Sequence, residues 1–260
     1  MADIDSLPPG AFCWPELSTT DQKGAVAFYR ALFGWTVTEQ PVGPTETYSM
    51  FELRGRPVCA AYTQRAEEKG VPPHWGSYIA VASADESVKK AKALGARVFA
   101  EPFDVTESGR MAVLQDPTGA VFHVWQANTH IGVRVLGEPG ALCWTELSTR
   151  DTKAAEAFYT EMFGWTPKHS TPGASMEYTE FSVAGRPGIG MMPMPKEVPA
   201  FVPAYWMPYF QVGDLDASVA NAQSLSGKLM MPPMSIADGG RFALLNDPQG
   251  ALFAIFKPKS

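Results

Sequence analysis

Four histidines and three cysteines are the whole supply of imidazole and thiol in 260 residues. So small a stock leaves little for a multi-histidine metal centre, and the odd cysteine count argues against a disulfide framework. Cys13, Cys59 and Cys143 read as small buried thiols of a reducing compartment, because no histidine follows any of them at a spacing that marks a nucleophile. Basic residues are scarce too. The 21 Lys and Arg are outnumbered by 27 Asp and Glu and lie scattered, a balance of -6 that excludes a nucleic-acid partner. No stretch approaches the roughly 20 apolar residues of a membrane span. The opening MADIDSLPPG is acidic and has no apolar run, unlike a signal peptide, so a soluble cytoplasmic protein is expected. The chain also lacks GxGxxG, a Walker loop, HExxH and a GxSxG elbow.

What the chain does contain is one pattern written twice. GAFCWPELSTTDQKGAVAFYRALFGW at 10–35 and GALCWTELSTRDTKAAEAFYTEMFGW at 140–165 agree at 17 of 26 positions without a gap, at an offset of 130. A later echo, DPTGAVF from Asp116 and DPQGALF from Asp247, is offset by 131, so one residue is inserted between Pro57 and His74. The chain therefore divides into a tail at 1–9, a domain at 10–127, a connector at 128–139 and a second domain at 140–258. Each domain is long enough to bury a core of its own. The connector holds Gly132, Gly137 and Pro139 but is neither long nor strongly polar, which implies domains packed closely.

Each copy has the same internal rhythm. Phe12 to Ser18 alternates, with Cys13 and Leu17 on one face and Trp14, Glu16 and Ser18 on the other, as in a strand. Thr20-Asp21 offers an N-cap, Val26, Tyr29, Leu32 and Phe33 recur at helical spacing, and Gly34 supplies a C-terminal cap. A helix is predicted at 22–33, followed by strands at 35–40, 47–53 and 57–63. After the polar stretch 64–70 the order returns, with a strand at 77–82, a helix at 85–94 and strands at 97–100, 110–115 and 121–126. The second copy predicts a strand at 142–148, a helix at 153–163, and strands at 165–168, 177–183 and 188–192. It closes with a strand at 206–212, a helix at 216–225 and strands at 228–231, 241–246 and 252–256. Asp116-Pro117 and Asp247-Pro248, each followed by Gly, are turn chemistry rather than catalytic acids.

Four strand-helix-strand-strand-strand units with CW-x-ELxTxD, FY-x3-FGW and DPxGA-x-F signatures resemble the vicinal oxygen chelate superfamily of glyoxalases, bleomycin-resistance proteins and extradiol dioxygenases. Within it the chain looks like a two-domain, glyoxalase-like branch also described as hydroxylases. The resemblance covers about 10–127 and 140–257. It implies an α+β fold: a tandem repeat of two domains, each of two βαβββ units forming a curved mixed sheet with helices on the convex side and a ligand cavity in the concave one. Cys13 and Leu17 would then face the helix, and Trp14, Glu16, Trp144 and Glu146 the cavity. Metal-dependent members hold their ion with residues on the first and last strands of the units. Those positions fall here on Trp14, Tyr78 and His123, and on Trp144, Tyr209 and Ala254. Only His123 could be a ligand there, with His74 just before the Tyr78 strand as a second weak candidate, so no complete metal site is expected.

Glu16 and Glu146 are the leading candidates for chemistry. A carboxylate in a Trp-walled hollow has a raised pKa and can act as a base or hold an amine or hydroxyl. Alternatively each caps a backbone group or pairs with Arg110 or Arg241, which recur in SGR and GGR. Trp14, Tyr78, Trp144 and Tyr209 can stack on a flat ligand, with His123, Arg110 and Arg241 as further ligand-binding candidates, while Phe28, Tyr29 and Trp35 suit a core. Two readings follow. One is a binder of a small organic molecule in aromatic-lined cavities, needing no cofactor. The other is a divalent-metal (Ni, Zn, Fe or Mn) lyase, isomerase or oxygenase using Glu16 or Glu146 with His123 and His74. The two copies can form a pseudo-dimer within one chain, compatible with a monomer or a homodimer.

Overall fold

The structure is a computed structural model and describes residues 4–44, 46–170, 177–236 and 239–259. The first sheet is built from β1 (Phe12–Thr19), α1 (Gln22–Phe33), β2 (Thr36–Pro41), β3 (Thr47–Leu53), β4 (Arg56–Thr63), β5 (His74–Ala80), α2 (Ala84–Ala93), β6 (Arg97–Val105), β7 (Gly109–Gln115) and β8 (Val121–Ala127). A single 3-10 turn, Ala66–Glu68, lies between β4 and β5. The second contains β9 (Leu142–Thr149), α3 (Thr152–Phe163), β10 (Thr166–His169), β11 (Thr179–Val183), β12 (Arg186–Pro193), β13 (Tyr205–Gln211), α4 (Leu215–Ser224), β14 (Lys228–Ile236), β15 (Gly240–Asn246) and β16 (Leu252–Pro258). Each set forms one curved eight-stranded mixed sheet, in the orders β2-β3-β4-β1-β5-β8-β7-β6 and β10-β11-β12-β9-β13-β16-β15-β14. β1 runs parallel to β4 and antiparallel to β5, so two βαβββ units meet at the sheet centre.

Local chemistry explains the boundaries. The Asp21 side chain accepts from the Gly24 amide at 2.9 Å to open α1, and Gly34 closes it at φ 71°. Asp151 and Gly164 do the same for α3. β6 and β14 run on past Ala100 and Met231, where the proline-containing sequence suggests that they stop. Pro102, Pro232 and Pro233 are tolerated because both strands are outermost, and the pairing slips register there.

Two sequence expectations fail at β1 and in the core. The β1–β5 register shifts between Phe12 and Trp14. Phe12 therefore turns toward the helices, packing on Trp206 at 4.8 Å, and Cys13 joins Trp14 on the concave side instead of sharing the helix face with Leu17. Nor does either domain close its main core alone, although smaller clusters around Trp14 and Tyr78 and around Met207 and Tyr209 lie on the concave side of one domain each. One main cluster joins Leu17, Phe28, Tyr29 and Phe51 of the first domain to Phe210, Val219 and Phe253 of the second, and the other joins Ile79, Val88 and Phe122 to Phe158, Tyr159 and Trp165. The sheets thus pack convex face to convex face. α1 lies with α4 and α2 with α3, while β5 meets β13 directly, Trp75 lying 5.3 Å from Phe210.

Hydrogen bonds cross this seam in matched pairs. The Tyr29 phenol donates to Asp247 Oδ2 at 3.0 Å and the Tyr159 phenol to Asp116 Oδ2 at 2.9 Å. The Trp35 and Trp165 indoles donate to the carbonyls of Gly140 and Gly10. The Oδ1 atoms of Asp116 and Asp247 hold their own turns. No described helix is long and apolar enough to cross a membrane.

Candidate functional site

The seam covers the convex faces and leaves the concave ones outward. On the first concave face, alternation and register lay residues out as a grid. β1 presents Trp14, Glu16 and Ser18; opposite them, β5 presents Tyr78, Gly76 and His74, and β4 presents Ala60 and Tyr62 beside Glu16 and Ser18. His123 of β8 stands opposite Tyr78, and Tyr48 of β3 opposite Tyr62. The second face repeats the centre with Trp144, Glu146 and Ser148 against Tyr209, Met207 and Tyr205, but Ala254 replaces His123.

At the middle of each grid lies a carboxylate gripped by two phenols. Tyr48 and Tyr78 donate to Glu16 Oε1 and Oε2, both at 2.6 Å, and the Trp14 indole donates to the Tyr48 oxygen at 2.9 Å. Tyr178 and Tyr209 donate to Glu146, both at 2.8 Å, and Trp144 donates to Tyr178 at 3.0 Å. A side chain at position 190 would collide with Tyr178 and Trp144, so Gly190 makes room for the second network. Burial raises the pKa of Glu16 and of Glu146, and the phenol donors oppose that rise. The same burial, with the carboxylate charge beside it, pushes all four phenols upward, so they remain donors.

Trp14, Glu16, Tyr78, Trp144, Glu146 and Tyr209 are therefore brought together in two equivalent networks. Tyr48 and Tyr178, which complete them, were not singled out from the sequence. Their separation of 130, the offset of the repeat, is the signal that marks them. Arg110 and Arg241 are not part of either network. Arg110 is bound to Asp85 and Asp104, and Arg241 to Asp216, in exposed ion pairs, so the alternative of pairing with Glu16 or Glu146 is not taken.

The first face has a polar extension. His123 stacks on Tyr78 at 4.2 Å and lies over Gly76, where a side chain would strike its ring. Its buried Nδ1 has no hydrogen-bond partner. Burial, reinforced by His74, lowers its pKa to about 4. Glu68 accepts from Ser18 and Tyr62, both at 2.8 Å, and from the Arg65 amide. Burial would raise its pKa, but those donors prevail and hold it below the usual range. His130 packs edge-on against Trp14 at 4.6 Å. With Val133, whose amide bonds the Cys13 carbonyl, it brings the connector over the Trp14 end of the face. The thiols take no part: burial pushes Cys143 up to about 12, and Cys13 and Cys59 well above their ordinary value.

The donor set does not fit the metal that the family's fold can hold. The row that would carry ligands reads Trp14, Tyr78, His123 in one sheet and Trp144, Tyr209, Ala254 in the other, a single imidazole between them. Both oxygens of Glu16 and of Glu146 already accept phenols. Among the described residues no three His, Cys, Asp or Glu side chains converge as ligands. His123 and His74 remain near each other without the third donor that Ni, Zn, Fe or Mn requires.

Known proteins share this architecture. Residues 16–125 match the model of the glyoxalase-like domain, and residues 141–255 that of the glyoxalase/bleomycin resistance protein/dioxygenase superfamily. A Mycobacterium tuberculosis protein named "Putative glyoxylase CFP32" is 41% identical over 249 residues, 94% of each chain. Anthracycline biosynthesis protein DnrV of Streptomyces peucetius is 33% identical over 263 residues, 95% of this chain and 93% of its own. Among solved structures, the Mn(II)-bound glyoxalase of Novosphingobium aromaticivorans has a TM-score of 0.65 at 17% identity, covering 96% of this chain and 82% of its own. The 2,3-dioxygenase LapB of Pseudomonas sp. KL28 has a TM-score of 0.67 at 12% identity, covering 100% and 94%. These two likenesses are of fold. With both halves matched by family models and relatives aligned along nearly its whole length, the chain belongs to the glyoxalase/bleomycin resistance protein/dioxygenase superfamily.

Proposed function

We propose that the protein binds a small, flat organic molecule on its concave faces, through aromatic stacking and carboxylate hydrogen bonds rather than through an inner-sphere metal. The observation that carries this reading is the Trp–Tyr–Glu–Tyr network built twice, with tryptophan and tyrosine standing where metal-dependent relatives place ligands. Half-buried Tyr48, Tyr62 and His123 in one domain, and Trp144, Tyr178 and Tyr205 in the other, offer rings for stacking above the buried Trp14, Tyr78 and Tyr209, and Glu16 and Glu146 accept from the ligand's hydroxyl or amine. A relative named for anthracycline biosynthesis supports polycyclic aromatics as the ligand class. A monomer with an internal pseudo-dimer suffices, because each network is completed within one sheet.

Titration of the intrinsic tryptophan fluorescence with an anthracycline tests the proposal. Saturable quenching is expected, at least about tenfold weaker in Glu16→Gln or Glu146→Gln and indifferent to EDTA. Metal analysis of protein purified without chelator provides the opposing result. About one equivalent of Ni, Zn, Fe or Mn per chain, together with binding lost on chelation, would replace this reading with the metal-dependent lyase, isomerase or oxygenase.

A further inference from the structure

The two concave faces share a centre but differ in what they present to a ligand. On the first, Glu16 is only half-buried, and Tyr48, Tyr62, Glu68, His74 and His123 around it are half-buried too. The connector covers the Trp14 end, so these residues form the open end of that face. Glu68 is close enough to Glu16 for their charges to interact, and three donors keep it ionised. His123 is an aromatic plate rather than a competing cation, because burial keeps its ring neutral near pH 7. On the second face Glu146 is 6% exposed beneath its phenols, Tyr205 takes the place of His74, and Ala254 that of His123. Met192, opposite Ser148, takes the place of Tyr62.

Two carboxylates among tyrosine rings, beside a neutral imidazole, form a surface rich in acceptors and poor in donors. Among the described residues, the cation whose charge acts on Glu16 is the exposed Arg65. Such a surface suits a cation bearing N–H groups: the carboxylates supply charge and the rings, His123 among them, supply their π faces. On the second face Glu146 is sealed under phenols, and the other carboxylate of its row, Glu180, is already paired with Lys168, so this complementarity is lacking.

We propose that the first-domain face selects a protonated primary amine on an aromatic body, while the second-domain face takes neutral aromatic ligands. This rests on the small-molecule binding proposed above and assigns it a ligand class and a domain.

The test uses the full chain and two probes of one shape, 2-(aminomethyl)naphthalene, protonated at pH 7, and 2-naphthalenemethanol, which is neutral. Tryptophan quenching and calorimetry give their affinities. The amine is expected to bind about tenfold more tightly than the alcohol at low salt, with a preference that shrinks as salt is raised. Glu16→Gln and Glu68→Gln are each expected to erase the preference by weakening the amine more than the alcohol, and Glu146→Gln to leave the preference in place. The salt series on the unaltered protein reads the same charge term should either glutamine variant fail to fold. Equal affinities for the two probes, or a preference erased by Glu146→Gln, would overturn the domain assignment and leave the binding function standing. Failure of both probes to bind would overturn both.

Discussion

A carboxylate held by two phenols is an unusual resting place for a charge, and its behaviour with pH follows from the geometry. Glu146 is buried, and burial raises its pKa despite the donors from Tyr178 and Tyr209. The folded state therefore binds this proton more readily than the unfolded chain does. The resulting stabilisation is fully present below the ordinary carboxylate range and is lost as pH rises through the raised value. Glu146→Gln copies the shape of the protonated form. Thermal unfolding at pH 7 should then give a higher Tm for the variant, by on the order of 2–4 °C, with the gap closing as pH falls toward about 4. A lower Tm at pH 7 would show that the phenol bonds outweigh desolvation. The placement of Trp14 and Glu16 on one face was legible from alternation alone. The Tyr48 and Tyr178 partners were not, because a hydrogen bond between strands distant in sequence leaves no local pattern.

At the level of elements, the helices were legible because their caps are written locally, Asp21 with Gly34 and Asp151 with Gly164. Strand ends were less so. Pro102 and Pro232-Pro233 signal a break that an outermost strand does not need to obey, and the slip at Cys13 depends on pairing with β5, which β1 does not encode. The Asp-Pro turns were legible as turns, but not as anchors for a distant helix. The Tyr29 hydroxyl accepts from the Trp75 indole at 3.1 Å and donates to Asp247 of the other domain. Removing it strands two buried polar groups at once. Tyr29→Phe should cost about 2–3 kcal/mol, read as a lower urea midpoint at unchanged slope. A change under about 0.5 kcal/mol would mean that water replaces the hydroxyl and that the bond does not tie the domains together.

On the scale of the whole molecule, the repeat revealed two domains but not how they lean on each other. The apolar face of α1 looks the same whether it serves one sheet or two. In the fold it serves both, since Phe28 contacts Phe253 at 6.2 Å and Phe33 contacts Phe210 at 5.3 Å, both across the seam. An isolated half would keep its hydrogen-bonded sheet and expose the side of the helices that its partner now covers, together with Asp116 or Asp247 deprived of its phenol. Exposed apolar surface on that scale drives association or unfolding. The intact chain should therefore unfold in one cooperative transition with coincident tryptophan fluorescence and circular dichroism curves. Fragments 1–139 and 140–260 should each fail to give a folded monomer by gel filtration and circular dichroism. Mixed during refolding, they should recover a complex with the secondary structure of the whole, since the seam that joins them needs no covalent link. Two separated transitions in the intact chain, or a soluble folded monomer from either fragment, would show that each domain is sustained by its own core after all.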